Sequence, residues 1–320
     1  MILINFIISS LIDFVIGSCD ACVDGHCQTM TVLLQNVDIT DQLAMDWTNN
    51  ILYVQLNSVI NTAFYINDYA IAKMHLVQIA ETSGMVVRHD TQELYTADSN
   101  KNIYKIKKGT NNVVIEYAGL LDGVVNFMFY RNRLYLTKKG EKNIFYFDNT
   151  SLIAARDLSN FTITDFVKTD RGVFFVSDDQ VYEYKRPFNK PPKVLTAKKM
   201  ILSTDQFENV YLGSASQKVI YKNNNVTHKI YVYAAYKKGN VDKFVLDRDN
   251  NVIAYDATEK SLSIWKEEGS TCTIVLPHCN VQINVHKPPD ENDEEEVDEH
   301  NDNIVYDFFW KHSEKVFENN

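Results

Sequence analysis

The sequence predicts an all-β chain folded as a six-bladed β-propeller, closed by pairing of N-terminal and C-terminal strands, with cysteine crosslinks near the closure. Three observations predict it. Six segments repeat one strand-turn-strand outline, their anchors recur about every 40 residues, and no amphipathic-helix pattern separates them.

The chain has 320 residues, 45% of them apolar, enough to bury a sizeable core. Its 32 Lys and Arg against 42 Asp and Glu give a formal charge of -10. No cationic face is concentrated, which excludes a general nucleic-acid binder.

The first element is the apolar run Met1 to Ile16, broken by Asn5, Ser9, Ser10 and Asp13. Val15 and Gly17 sit at positions -3 and -1 of a cleavage site. Residues 1–17 are therefore expected to be a signal peptide, with a secreted, extracellular mature chain from about Ser18. A membrane anchor would need about 20 predominantly apolar residues, so none is expected.

Cys19, Cys22, Cys27, Cys272 and Cys279 stand only at the two ends of the body. In an oxidising compartment they favour disulfides over zinc thiolates. One or two bonds are expected to fasten the N-terminal segment to the region near Cys272 and Cys279. The remaining cysteine is left free, bonded within the first cluster or bonded between chains.

The repeats then run through Leu43 to Leu76, Met85 to Lys107, Val125 to Phe147, Ile163 to Tyr184, Met200 to Tyr221 and Lys243 to Trp265. Their second strands align at Leu52, Leu94, Leu134, Val173, Val210 and Val252, each after a polar hairpin such as Trp47-Thr-Asn-Asn50 or Asp247-Arg-Asp-Asn-Asn251. Third strands alternate, as in Asn102-Ile-Tyr-Lys-Ile106 and Gln180-Val-Tyr-Glu-Tyr184, so one set of large residues faces a neighbouring sheet. In the first repeat this strand is expected to be displaced by an insertion, Ser58 to Asp68, forming a rim loop. Ring closure is expected to pair Thr31 to Leu34 with the region near Cys272 to Leu276.

Beyond the propeller, placed at 18–286, residues 287–303 carry nine acids between Asp290 and Asp302. Such a run repels itself and is expected to be a disordered linker. Residues 304–320 begin Ile304-Val-Tyr-Asp-Phe-Phe-Trp310, an aromatic segment expected to dock on the body as a short helix, or else to bind a protein partner.

Chemistry is sparse. Gly-x-Ser-x-Gly, His-Glu-x-x-His, P-loop and dinucleotide fingerprints are absent from the sequence, and the eight histidines show no close metal spacing. No metal, cofactor or catalytic residue is expected. A propeller places its site at the channel mouth, at the starts of the innermost strands. The repeat alignment puts Gln42, Gly84, Asn126, Asp165, Met200 and Asp242 there. Only Asp165 and Asp242 are acids, too few for a calcium cage or a metal-dependent hydrolase but workable for a flat polar ligand. Asn149, Asn160 and Asn225 open Asn-x-Ser/Thr acceptor sites in turns, suiting a glycoprotein.

The spacing Cys19-x-x-Cys22-x-x-x-x-Cys27, the degenerate repeats with Asn102-Ile-Tyr-Lys-Ile106 and Asn143-Ile-Phe-Tyr-Phe147, and the late Cys272 and Cys279 resemble the ommochrome-binding proteins of insect haemolymph. The similarity spans about residues 18–286. It implies a secreted, non-enzymatic carrier of a tryptophan-derived pigment such as xanthommatin, and transfers no ligand-contact motif to named residues. The expectation is thus a pigment-binding carrier in haemolymph. The alternatives are an extracellular protein-interaction propeller and a metal-dependent propeller hydrolase or lactonase. An acidic carrier gains no long-range attraction for an anionic pigment, so stacking and local hydrogen bonds must supply affinity.

Overall fold

The computed structural model describes residues 19–39, 42–56, 60–66, 71–77, 82–98, 102–108, 113–120, 124–131, 133–148, 151–155, 158–186, 188, 190–196, 200–214, 217–227 and 229–272. The expectations for 1–17, Asn149, Cys279, 273–286, the acidic linker and the aromatic end lie outside them.

A short strand, β1 (Ala21–Val23), and a long one, β2 (His26–Gln35), come first. Sheet I is β3 (Ala44–Asp46), β4 (Ile51–Leu56), β5 (Ile60–Ile66) and β6 (Ile71–Val77). Sheet II is β7 (Thr82–Arg88), β8 (Glu93–Asp98), β9 (Asn102–Lys108) and β10 (Val113–Leu120). Sheet III is β11 (Val124–Tyr130), β12 (Arg133–Lys138), β13 (Phe145–Asp148) and β14 (Ser151–Ala154). Sheet IV is β15 (Ile163–Thr169), β16 (Gly172–Ser177), β17 (Gln180–Lys185) and β18 (Lys193–Thr196). There follow β19 (Ile201–Thr204), β20 (Val210–Ser214), β21 (Val219–Asn223) and β22 (Ile230–Tyr236), then β23 (Lys243–Leu246), β24 (Val252–Asp256) and β25 (Ser261–Thr271).

Sheets I to IV are four-stranded antiparallel meanders, and the remaining strands form one nine-stranded sheet in the order β19-β20-β21-β22-β1-β2-β25-β24-β23. That sheet is two four-stranded fans, V (β19 to β22) and VI (β23 to β25 with β2), joined edge to edge by β1. The first strand of each unit contacts its successor in the order β3, β7, β11, β15, β19, β23 and again β3.

Packing explains why the strands read as near-continuous apolar runs. Successive side chains point to opposite faces, and in these units both faces are covered. Ile51 and Tyr53 pack on Met85, Val87 and Leu94 of sheet II, while Leu52 and Val54 pack on Ile253, Tyr255 and Leu262 of sheet VI. Similar clusters fill each remaining junction between neighbouring units, as where Val167, Phe174 and Val176 meet Leu202 and Leu212. The core is thus a set of wedges between sheets.

Hairpins are set by local chemistry. Asp178 and Asp179 take φ of 49° and 59° between paired Ser177 and Gln180, the two-residue turn whose twist matches the strands it joins. Asn50, Gln92, Arg131, Glu208 and Asn250 take the same left-handed region in the hairpins between first and second strands.

Two sequence expectations are corrected. Residues 60–66 are the third strand of sheet I, paired with both β4 and β6, where an insertion forming a rim loop was expected. Ile60-Asn-Thr-Ala-Phe-Tyr-Ile66 is rich in β-branched and aromatic residues, which fit a pleated strand. Thr31 pairs with Ile264 and Leu34 with Leu262, so the N-terminal strand lies on the third strand of sheet VI, short of the region 272–276. The cysteines form Cys19–Cys27, local to the first cluster, and Cys22–Cys272, which joins the two ends. Within the described residues no helix is long and apolar enough to cross a membrane.

Candidate functional site

The first strands of the units line a channel of about 800 Å³. Gln42, Asn126, Asp165, Met200 and Asp242 all line it. Their engagement differs from a waiting ligand mouth. Gln42 Nε2 donates to Asn126 Oδ1, and Asn126 Nδ2 donates to Asp165 Oδ1. Asp165 also accepts from the Phe166 N–H at 2.9 Å and the Leu202 N–H at 3.3 Å. These three side chains form a crossbar from sheet I to sheet IV. Gly84 of sheet II sits beneath it: a Cβ there would lie 2.8 Å from the Phe127 ring and 3.6 Å from Gln42 Oε1.

Met200 is buried and packs with Val167, Leu202 and Leu212, a core role for a flexible apolar side chain. Asp242 is exposed and accepts from the Ala257 N–H at 2.7 Å. Asn160 and Asn225 lie in turns, as expected. The sulfurs of Cys19, Cys27 and Cys272 lie within 4.8 Å of one another, but all three are in disulfides.

The other end of the channel holds groups that sequence reasoning treated only as polar hairpins. Trp47 and His89 line it as stacked rings, with centroids 4.2 Å apart and planes 12° apart. Trp47 is held by its indole N–H, which donates to the Leu246 carbonyl at 2.9 Å. Burial pushes the His89 imidazole below its ordinary range, keeping it neutral at pH 7. Lys168 stands under the rings of Tyr130, Tyr135 and Phe188, with Nζ 4.9, 5.5 and 5.7 Å from their centroids. Burial, with Arg186 and Arg131 nearby and only Glu208 opposing them, pulls its pKa down to about 8.

The hairpins at this end are laced to one another. Asn49 Nδ2 donates to Gln92 Oε1 at 2.9 Å, the Tyr130 hydroxyl donates to Asp170, and the Asp170 N–H donates to Glu208 Oε2 at 2.8 Å. Gln206 Nε2 donates to the Arg248 carbonyl at 3.0 Å, and the Arg248 N–H donates to Asn50 Oδ1 at 3.3 Å. Between sheets II and III the link is Arg88 over the Phe129 ring at 5.9 Å. A legible signal existed for part of this: Trp47 and His89 each precede the anchors Leu52 and Leu94 by the same interval.

On the rim of this face Phe207 and Val226 are 61% and 82% exposed. They are neighbours, because Asn225 Nδ2 donates to the Phe207 carbonyl at 3.3 Å.

No family model matches the chain, and no curated protein matches it. Solved structures do. It is similar to the WD40 β-propeller domain of Doa1 (TM-score 0.54, 7% identity, 78% of this chain and 97% of that one). It is also similar to U3-55K (0.51, 9% identity, 74% and 98%). A third is PorZ, a surface component of the type-IX secretion system of Porphyromonas gingivalis (0.52, 13% identity, 76% of this chain and 39% of that one). The chain has an all-β, propeller-like fold with disulfides.

Proposed function

We propose that the chain is a secreted six-bladed propeller, closed through β2 and the Cys22–Cys272 bond, that serves as a non-enzymatic extracellular scaffold for a protein partner. The carrying observation is the turn face around the second channel end: an exposed apolar pair, Phe207 and Val226, beside a hydrogen-bonded polar rim. A few apolar and aromatic anchors ringed by polar groups are the usual energetic centre of a protein interface. PorZ, a bacterial surface component, is similar in fold over part of its length and is consistent with such a role. Asn225 lies between the two anchors, so a glycan there would set how much of the patch is free.

The test is capture from extracellular fluid by the purified protein, its N225Q form, and Phe207→Asp/Val226→Asp in each background. A partner retained by the parent and lost from the double variant at unchanged Tm supports this reading. An identical captured set from both overturns it.

A second reading, the ommochrome-type pigment carrier, draws on the channel itself. Its volume is that of small-molecule sites, roughly 300–1,000 Å³, and the Trp47–His89 stack and the cationic Lys168 suit a flat aromatic anion. Those contacts are local, as an acidic carrier requires. Titration with oxidised and reduced xanthommatin, monitored by visible absorbance, should saturate at one ligand per chain and weaken in Trp47→Ala. A folded, disulfide-intact protein that shows no saturation dismisses it.

A further inference from the structure

We propose that Lys168 is a covalent capture site for aromatic carbonyl compounds inside the channel, its amine condensing reversibly with an aldehyde to form an imine. The geometry carries the proposal. Lys168 lies on β15 and lines the channel, and the residue is only 7% exposed. Among the described residues no carboxylate pairs with its Nζ; what surrounds that atom is the faces of Tyr130, Tyr135 and Phe188. The charged groups nearest in effect are Arg186, Glu208 and Arg131, and Arg131 is itself paired with Asp170. An ammonium ion here is opposed by burial and by two guanidinium groups, and favoured by the rings and Glu208. That balance keeps a fraction of free amine near neutral pH, the form that attacks a carbonyl.

The neutral Nζ forms a C–N bond to the carbonyl carbon while the C=O π bond breaks to a carbinolamine. Loss of water then leaves the C=N bond. Nothing is oxidised or reduced, and water addition returns the amine. The three rings offer stacking surface for an aromatic aldehyde, and Arg186 and Arg131 favour one bearing an anionic substituent.

The test uses the whole disulfide-bonded protein and 4-formylbenzoate as probe. The protein is incubated with limiting aldehyde at pH 7.5, imines are trapped with borohydride, and labelled peptides are mapped by mass. Lys238, whose side chain is 81% exposed, serves as internal comparison. Lys168 should be labelled at least tenfold faster than Lys238, because the rings of Tyr130, Tyr135 and Phe188 hold the aromatic aldehyde against its amine. The rate should rise with pH and level off above about 8. In Lys168→Arg this adduct should vanish while surface adducts persist. Labelling of Lys168 no faster than Lys238, or its failure to react in the folded wild type while surface lysines do, overturns the proposal.

Discussion

Lys168 and Asn126 show how single side chains at the two channel ends trade stability for position. The folded-state pKa of Lys168, about 8, lies below its unfolded value of 10.5. Between those values the unfolded chain binds more protons, so stability rises with pH there and the penalty is full below pH 8. Lys168→Met should therefore be more stable than wild type at pH 7, and the difference should shrink as pH climbs towards 10.5. Paired urea melts across pH 7 to 10 measure it; a pH-independent difference would contradict it. Asn126→Ala breaks the crossbar and leaves the half-buried Gln42 and Asp165 side chains without their bridge, a cost of about 1 kcal/mol in the same assay. The sequence grouped Gln42, Asn126 and Asp165 because they share a repeat position, but the hydrogen bonds that join them were not legible, since they depend on how three separate sheets meet. It missed Lys168, because a lysine near a polar turn looks solvated until sheets III and IV enclose it with rings from distant positions.

Elements were legible wherever alternation and turn chemistry agreed. Sheets V and VI show why. Asp205 accepts from the Phe207 and Asn209 N–H groups, both at 2.9 Å, from Asn209 Nδ2 at 2.7 Å and from the Tyr211 hydroxyl at 2.9 Å. Asp247 repeats the pattern with the Asp249 and Asn251 N–H groups and Asn251 Nδ2. An Asp followed four residues later by Asn thus writes the hairpin into the sequence. Asp205→Ala, which strands several buried donors, should cost about 3 kcal/mol in chemical denaturation; a loss below about 1 kcal/mol would contradict the assigned role. The third strand of sheet I was hidden because its polar flanks resemble an insertion, and its partner on the far side, β6, lacked a counterpart clear enough to set the register.

At the scale of the whole molecule, repeat spacing announced the propeller, and the cysteine positions announced a link between its ends. The register of closure was not legible, since pairing β2 with β25 brings together residues more than 200 positions apart. Cys22–Cys272 spans 250 residues and Cys19–Cys27 spans 8. If both act by restricting the unfolded chain, removing the long-range bond with Cys22→Ala/Cys272→Ala should cost about 3 kcal/mol more than Cys19→Ala/Cys27→Ala. Equal losses would mean that Cys22–Cys272 does not act by restricting the two distant ends of the chain.

The claim that the turn face is where this propeller meets a protein partner is tested most directly by placing a photo-crosslinking amino acid at Phe207, and in a separate protein at Val32. Val32 is 55% exposed on β2, at the outer edge of sheet VI, and serves as the control. Irradiation in extracellular fluid should give one discrete adduct from position 207 and none from position 32. No adduct from 207, or the same products from both positions, would contradict the account.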